Sequence, residues 1–494
     1  MKQLVLVDRP FRTALIFFAA VVLLALPQAA LLPLLDRDEP RFAEASREMI
    51  QSGNYVIPTF NGQPRYAKPP LIYWCQAACF RVFGENAFAA RLPSLLATAG
   101  TAVLLLAWGR ALGSFELGAI AALSYAFCFQ TIQQGRVATA DALLVFFMTL
   151  TVYAGWRLIP LAVPTGRKAA WRFWGIVLTL ALAGGLLAKG PEALLAILPL
   201  FWCLRKNGWR VFFALKAIGS LALLLFACWG VPALVQSHGD YFRVGIGEDV
   251  VHRSVSGMQG HGASTFGWYL LLLPFYFVWF WLSALPWSPL LITRRRQLFG
   301  GWKPDETDVY LLLNIALVFL VFTLMVTKLP HYTLPAFPLI ALLFARRWVT
   351  TRCTPSLRPA QLGWWSGFAL AVVALVGIPI AMYNGLNPSP VGSLVRQAGW
   401  DLTPETKVAI IGFEEPNAIW ETRRVVQVFP SQIPAEKLDD FLEEVGPHAI
   451  IMDEATFNRF PHVLDERWKF EKARGLNTAR LRRADLEMVI KPGW

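Results

Sequence analysis

Residues 11–48 read FRTALIFFAAVVLLALPQAALLPLLDRDEPRFAEASRE. From Phe11 to Leu35 the run is apolar almost throughout and long enough to cross a bilayer, which asks for roughly 20 helical residues. It is too long for the apolar core of a cleavable leader, and no small-residue cleavage site follows it, so a first transmembrane helix is expected. What comes next is more informative. Asp36-Arg37-Asp38-Glu39-Pro40-Arg41 places five charges in six residues at the mouth of that span. Charges there are costly unless they face water, one another or a charged ligand. Asp38, Arg41 and Glu44 follow one another at intervals of three, so they share the start of one helix. A guanidinium among carboxylates at a membrane surface suits anionic phosphate groups. The bland alternative is a charged stop after a span. The choice depends on whether other charges collect at the same face.

Composition sets the class. The chain has 494 residues, 55% hydrophobic and 13% aromatic, which marks a polytopic membrane protein. Lys and Arg number 46 against 33 Asp and Glu, a net charge of +13. In a membrane protein such an excess follows the positive-inside rule, and no nucleic-acid partner is expected. The six cysteines, Cys75, Cys79, Cys128, Cys203, Cys228 and Cys353, have no disulfide or metal pattern.

Hydropathy predicts about eleven spans, at 11–35, 88–109, 115–134, 138–158, 172–188, 190–204, 212–236, 266–293, 307–327, 332–349 and 363–384. With Lys2, Arg9 and Arg12 cytoplasmic, the alternation also puts Arg110, Arg157/Arg167/Lys168/Arg172, Arg205/Lys206/Arg210, Arg294-Arg295-Arg296 and Arg346/Arg347/Arg352/Arg358 inside. The outer side then receives the loops 36–87 and 237–265 and the C-terminus. Residues 1–384 are expected to form the membrane domain and 385–494 a small periplasmic α/β domain. In the latter, short apolar runs at Val408–Gly412, Val425–Phe429, Ala449–Met452 and Leu486–Ile490 flank a helical pattern at Ala435–Val445. In the first loop, Glu39–Ser52 is amphipathic through Phe42, Ala45 and Met49 and is expected to lie along the membrane surface. Gly53 stops it, and extended chain follows.

This topology, built without reference to function, places the isolated ionisable residues at the outer ends of spans. Asp38, Arg41 and Glu44 follow the first span, and Lys68 precedes the second. Arg136 and Asp141 lie between the third and fourth, and Lys189 and Glu192 between the fifth and sixth. Glu248, His252, Arg253 and His261 lie in the second long loop, and Lys328 and His331 between the ninth and tenth spans. Each alone reads as a solvated loop charge. Together they favour one water-filled site for a phosphate-bearing substrate. Three lysines sit beside proline turns: Lys68-Pro69-Pro70, Lys189-Gly190-Pro191 and Lys328-Leu329-Pro330. Topology alone would have put them inside.

With these residues assembled, a family likeness emerges. The stretch 36–74, DRDEPRFAEASREMIQSGNYVIPTFNGQPRYAKPPLIYW, resembles the first outer loop of the bacterial lipid A aminoarabinose transferase family, itself related to the protein O-mannosyltransferases. RVATADALLVFF, LLAKGPEALL, GHGASTFGWYL, LPWSPLL and TKLPHYTLPAFPLIALL continue it in order, over most of residues 10–350. The resemblance implies a polytopic α-helical GT-C glycosyltransferase that draws sugars from polyprenyl phosphate. It implies Asp38 as the essential first-loop aspartate, with Asp141 a second acidic residue facing the cavity, and the two are the expected catalytic carboxylates, Asp38 the principal one and Asp141 its partner. Arg41, Lys68 and Lys189 become the residues that hold the lipid phosphate. The family's first-loop glutamate, part of a metal site, is replaced by Ala67. No cofactor is therefore expected, and a divalent metal is disfavoured; His252 and His261 remain as candidate ligands.

The expected activity is transfer of one sugar from a polyprenyl-phosphate donor to a lipid or glycan acceptor at the outer leaflet of a bacterial inner membrane. Glu44, Arg136, Glu248, His252, Arg253, His261, Lys328 and His331 are further candidates for substrate contact. A transporter or flippase for an anionic lipid is the alternative, but such proteins show repeated halves and midplane charges, and neither is found in the sequence. A scaffold displaying the C-terminal domain leaves the outer lysines without a role.

Overall fold

Away from water an apolar segment must satisfy its own backbone, and this chain does so by winding nearly all such segments into helix. The structure, a computed structural model, describes residues 10–35, 37–162, 168–252, 266–351, 357–385, 387–413, 415–460, 467–477 and 482–491. Among them, seven helices are long and apolar enough to cross a membrane: Pro10–Leu31, Ala87–Ala111, Asp141–Leu161, Lys168–Leu204, Trp209–Gln236, Glu306–Leu324 and Trp365–Met382. The chain is an integral membrane protein. The sequence expectation of about eleven was higher because several apolar stretches are broken into shorter pieces. Residues 266–293 form three helices, Phe266–Leu272, Phe275–Ser283 and Ser288–Thr293, with Pro274, Pro286 and Pro289 at the breaks. Proline lacks the N–H that would continue a helix. The expected spans on either side of residue 189 are two arms of one stretch, Lys168–Leu204, joined by a 3₁₀ turn at Gly190–Ala196.

Packing divides the chain into two compact units. One holds the residues up to Leu26, Tyr66–Ile72 and Pro93–Leu375; the other holds Pro27–Arg65, Tyr73–Leu92 and the residues from Val376 onward. The core of the first is helical, with Trp108, Tyr125, Leu182, Leu200, Tyr310 and Leu342 fully or almost fully buried. Helices approach closely where side chains vanish: a Cβ on Gly109 would lie 2.1 Å from the Gly118 backbone.

In the second unit, a five-stranded mixed sheet runs in the order β4 (Ser431–Gln432), β3 (Lys407–Ile411), β5 (His448–Asp453), β7 (Arg482–Lys491), β6 (Lys469–Asn477). Strand β3 is parallel to β4 and β5, and β7 is antiparallel to β5 and β6. Both faces are covered. Val408, Ile410, Ala449, Ile451, Met488 and Ile490 pack with Val391, Leu394 and Ile419, while Ala409, Ile411, Ile450 and Met452 pack with Leu438 and Phe441. The apolar run Val425–Phe429 is not a strand. Its first residues turn back on the helix Pro416–Thr422, and the short edge strand β4 begins only at Ser431.

The first-loop helix is Asp38–Ser52, closed by Gly53 in the left-handed conformation (φ +70°), whose N–H bonds to Met49 O at 3.1 Å. Its apolar face meets protein rather than a membrane surface: Phe42 stacks on Tyr73 at 5.3 Å, and Ala45 and Met49 are buried. The following hairpin pairs β1 (Thr59–Phe60) with β2 (Gln63–Pro64).

Candidate functional site

In the first unit two antiparallel helices set the geometry. Asp141 opens one, Asp141–Leu158, and Lys189 closes the other, Lys168–Lys189. Lys189 Nζ donates to Asp141 Oδ1 at 2.8 Å and pairs with Glu192 Oε2 at 3.2 Å. The Thr139 hydroxyl holds the other Asp141 oxygen at 2.9 Å. The Lys189 ammonium also lies 5.2 Å from the Tyr332 ring centroid, and His331 sits edge-on to that ring at 5.2 Å. Gly190, at φ +78°, permits the sharp break that the sequence anticipated, and Pro191 starts the next turn. Thus Asp141, Lys189, Glu192 and His331, drawn from three separate stretches, form one cluster. Asp141 and Lys189 are nearly buried, while Glu192 is more open. The ammonium is thus flanked by two carboxylates and the face of an aromatic ring. The basic residues of the same helix pair gather at its other end, where Arg157 covers the Trp174 ring at 4.5 Å.

One shared amide fixes the third stretch. Gln130 Oε1 accepts from Trp279 Nε1 at 3.1 Å and Ser283 Oγ at 2.9 Å, while its Nε2 donates to Pro330 O at 3.1 Å. Lys68 belongs to the same unit. Its carbonyl accepts the Tyr241 hydroxyl, and Pro69 and Pro70 lead into the helix Leu71–Phe83.

Other predicted residues have local partners. Lys328 donates to the carbonyls of Phe322, Thr323 and Met325 and so closes the helix Glu306–Leu324. Burial pushes its pKa down to about 8. Arg136 donates to the carbonyls of Ile132 and Gln133 at 2.5 and 2.7 Å. Glu248 is exposed on the helical turn Arg243–His252. The His252 side chain, Arg253 and His261 lie outside the described residues. Ala67 offers no ligand atom to a metal, and among the described residues no three His, Cys, Asp or Glu side chains are grouped to hold one.

In the second unit Asp38 is exposed on the first turn of its helix, and Arg41 is half-buried one turn on. The adjacent Glu39 is structural: it forms a forked pair with Arg91 at 2.7 and 2.6 Å and accepts the Leu35 N–H at 2.8 Å. Arg91 in turn donates to the carbonyls of Leu32 and Pro33 at 2.7 and 2.6 Å, which secures the end of the first span. Glu44 is fully buried, paired with Arg47 at 2.8 Å and with Arg423 at 3.5 Å. Burial pushes its carboxyl up to about 7, against the pull of Arg47. Arg91 and Arg423 find their acidic partners far away in sequence, and Arg47 adds the distant Glu85 and Trp420 to its local partner Glu44, so local periodicity does not disclose them.

Comparison with known proteins follows the same lines. Residues 11–238 match the family model of dolichyl-phosphate-mannose-protein mannosyltransferase. The undecaprenyl phosphate-alpha-4-amino-4-deoxy-L-arabinose arabinosyl transferase of Edwardsiella ictaluri is 31% identical over 337 residues, 67% of this chain and 58% of that protein. The corresponding transferase 1 of Pseudomonas fluorescens is 30% identical over 370 residues, 72% of this chain and 62% of that protein. The alignments thus span about three fifths of the length of these curated relatives. The crystal structure of ArnT from Cupriavidus metallidurans bound to undecaprenyl phosphate superposes with a TM-score of 0.70 at 17% identity, covering 97% of this chain and 98% of that one. The chain is therefore a relative of the aminoarabinose transferases, as its first outer loop implied, and it has the GT-C fold seen in ArnT.

Proposed function

We propose that this protein is a membrane glycosyltransferase that moves a single sugar, a pentose or hexose, from a polyprenyl-phosphate donor to a lipid A-like glycolipid, another glycan or a protein. The observation that carries the reading is the nearly buried Lys189–Asp141 pair, extended by Glu192, in a chain that aligns with arabinosyl transferases over 337 residues. A cation kept charged by paired carboxylates can neutralise a departing lipid phosphate. Arg41, Lys68 and Lys189 bind that phosphate. Asp38 is the principal catalytic carboxylate: it takes the proton from a hydroxyl acceptor, or orients an acceptor that is already a phosphate. Asp141 holds Lys189 charged and in place. Leaving-group stabilisation by these cations needs no metal, and Ala67 has lost the ligand that the family's metal site uses. The membrane domain, residues 1–384, is assigned about eleven spans with the N-terminus cytoplasmic; residues 385–494 form a periplasmic domain on the outer face of the bacterial inner membrane.

The deciding experiment incubates purified protein with a polyprenyl-phosphate sugar and lipid acceptors. Donor consumption coupled to acceptor glycosylation is expected, unchanged by EDTA. Donor that survives intact with every acceptor defeats the reading, and loss of activity in EDTA defeats the metal-free step. A periplasm-dependent reporter fused after Trp494 should be active; an inactive one reverses the orientation.

A further inference from the structure

The helix Asp38–Ser52 bears Asp38 and Arg41 on its first turn, and residues of the C-terminal region grip the rest of it. Arg47, with no exposed side-chain surface, pairs with Glu44 at 2.8 Å and Glu85 at 2.9 Å. It also donates to Trp420 O at 3.1 Å, and its guanidinium lies 3.8 Å from the Trp420 ring centroid. Trp420 stacks on Phe80 at 5.9 Å. Arg423 closes a second grip. It donates to Gln51 Oε1 at 2.8 Å and to the carbonyls of Val426 and Gln427, pairs with Glu44, and covers Phe429 at 4.4 Å. A third grip is on the hairpin. Asn61 Nδ2 donates to Pro430 O at 2.8 Å, while Glu48 accepts the Thr59 hydroxyl and the Asn61 N–H, each at 2.6 Å.

An apolar seam would hold these elements together at a lower cost, because desolvating ion pairs consumes much of what their attraction returns. What a buried guanidinium adds is register. Its rigid fork meets Glu44, Glu85 and the Trp420 carbonyl in one placement. A helix is stiff, so fixing residues 44, 47 and 51 also fixes the first turn, where Asp38 and Arg41 sit.

We propose that the C-terminal domain serves as a positioning device for the first-loop helix, with Arg47 and Arg423 as the positioning residues that hold Asp38 and Arg41 at their working place. This rests on the roles given to Asp38 and Arg41 above. Neither Arg47 nor Arg423 needs to touch substrate; both act through the helix.

The test uses the full-length protein in detergent, with two readouts: turnover at saturating polyprenyl-phosphate sugar, and amide hydrogen exchange. Arg47→Lys keeps the charge and loses the fork and the stacking. It should lower turnover about tenfold or more, the scale expected of a small misplacement of a catalytic group. Exchange over residues 39–50 should quicken while 141–158 stays unchanged. In an Asp38→Asn background, Arg47→Lys should cost clearly less than its full loss, because the part that passes through Asp38 is already gone and only the part through Arg41 remains. Arg423→Lys, a milder change, carries the same test if Arg47→Lys fails to fold as judged by size exclusion. Unchanged exchange over 39–50 overturns the proposal. So does an Arg47→Lys loss that multiplies in full with that of Asp38→Asn. If the unmutated protein consumes no donor but Arg47→Lys still loosens this helix alone, the grip stands and the enzymatic reading falls.

Discussion

Two charged clusters of this protein look alike on paper and differ in kind. The Asp141–Lys189–Glu192 cluster ends two helices and has a partly open member in Glu192. The Glu44–Arg47–Arg423 cluster is sealed from solvent: Glu44 and Arg47 have no exposed side-chain surface, and Arg47 lies against Glu44, Glu85 and the Trp420 ring and carbonyl. The proposed role of the first is to receive an anion, and that of the second to fix a register. A buried charge therefore does not by itself signal a site.

Removing charge from the open cluster should break the comparison most sharply. Lys189→Met should abolish donor binding and cut turnover at least about a hundredfold, the scale of losing one electrostatic contact to the transition state. It also strands Asp141, so stability should fall by about 3–5 kcal/mol, the usual cost of leaving half a buried pair. The double change Asp141→Asn with Lys189→Met should recover much of that stability and none of the activity. Recovery of activity in the double mutant would reduce the cluster to a structural pair. Asp38→Asn should also cost about a hundredfold at saturating donor, with Asp141→Asn costing less. Near-normal turnover in Asp38→Asn would remove its catalytic role.

The sequence disclosed one of these clusters better than the other, for a physical reason. Lys189, Asp141 and His331 stand out because each interrupts an apolar stretch beside a turn, and helix ends at one depth must meet. Glu44 was legible as a charge but not as a sealed one, because Arg423 lies nearly four hundred residues away and stays silent until the chain folds. The same limit applied to Glu39, whose partner Arg91 fills a helix that otherwise reads as plain span. An expected span need not be one long helix, since prolines divide residues 266–293 into three shorter ones. In the C-terminal domain, strands at 407–411, 448–453 and 482–491 followed their apolar runs, whereas 425–429 leaves the helix Pro416–Thr422 as irregular chain ahead of the edge strand at Ser431.

Lys328 offers a smaller test on the same principle. Its ammonium is spent on three backbone carbonyls at a helix end, so it should behave like the sealed cluster. Lys328→Met should lower stability by about 1–3 kcal/mol through the stranded carbonyls, with donor KM little changed. A large rise in donor KM at normal stability would return Lys328 to the phosphate site.

The finest discrimination comes from pH, through Glu44. Its carboxyl is raised from 4.5 to about 7, chiefly by burial and further by Glu48 and Glu85, with Arg47 and Arg423 opposing. Between those two values the folded protein binds a proton at Glu44 that the unfolded chain has released, so this group's contribution to stability is full below about pH 4.5 and is lost as pH rises through about 7. Thermal unfolding of the purified protein should therefore show a component that weakens from pH 5 to pH 8, and Glu44→Gln should flatten it. A carboxylate in the open cluster has no such reason to follow this slope, so Asp141→Asn should leave it intact. If Glu44→Gln leaves the slope unchanged, Glu44 is ionised throughout the range, and Arg47 and Arg423 outweigh burial. The sealed cluster would then be a fully charged one, held together by attraction rather than tolerated for its register.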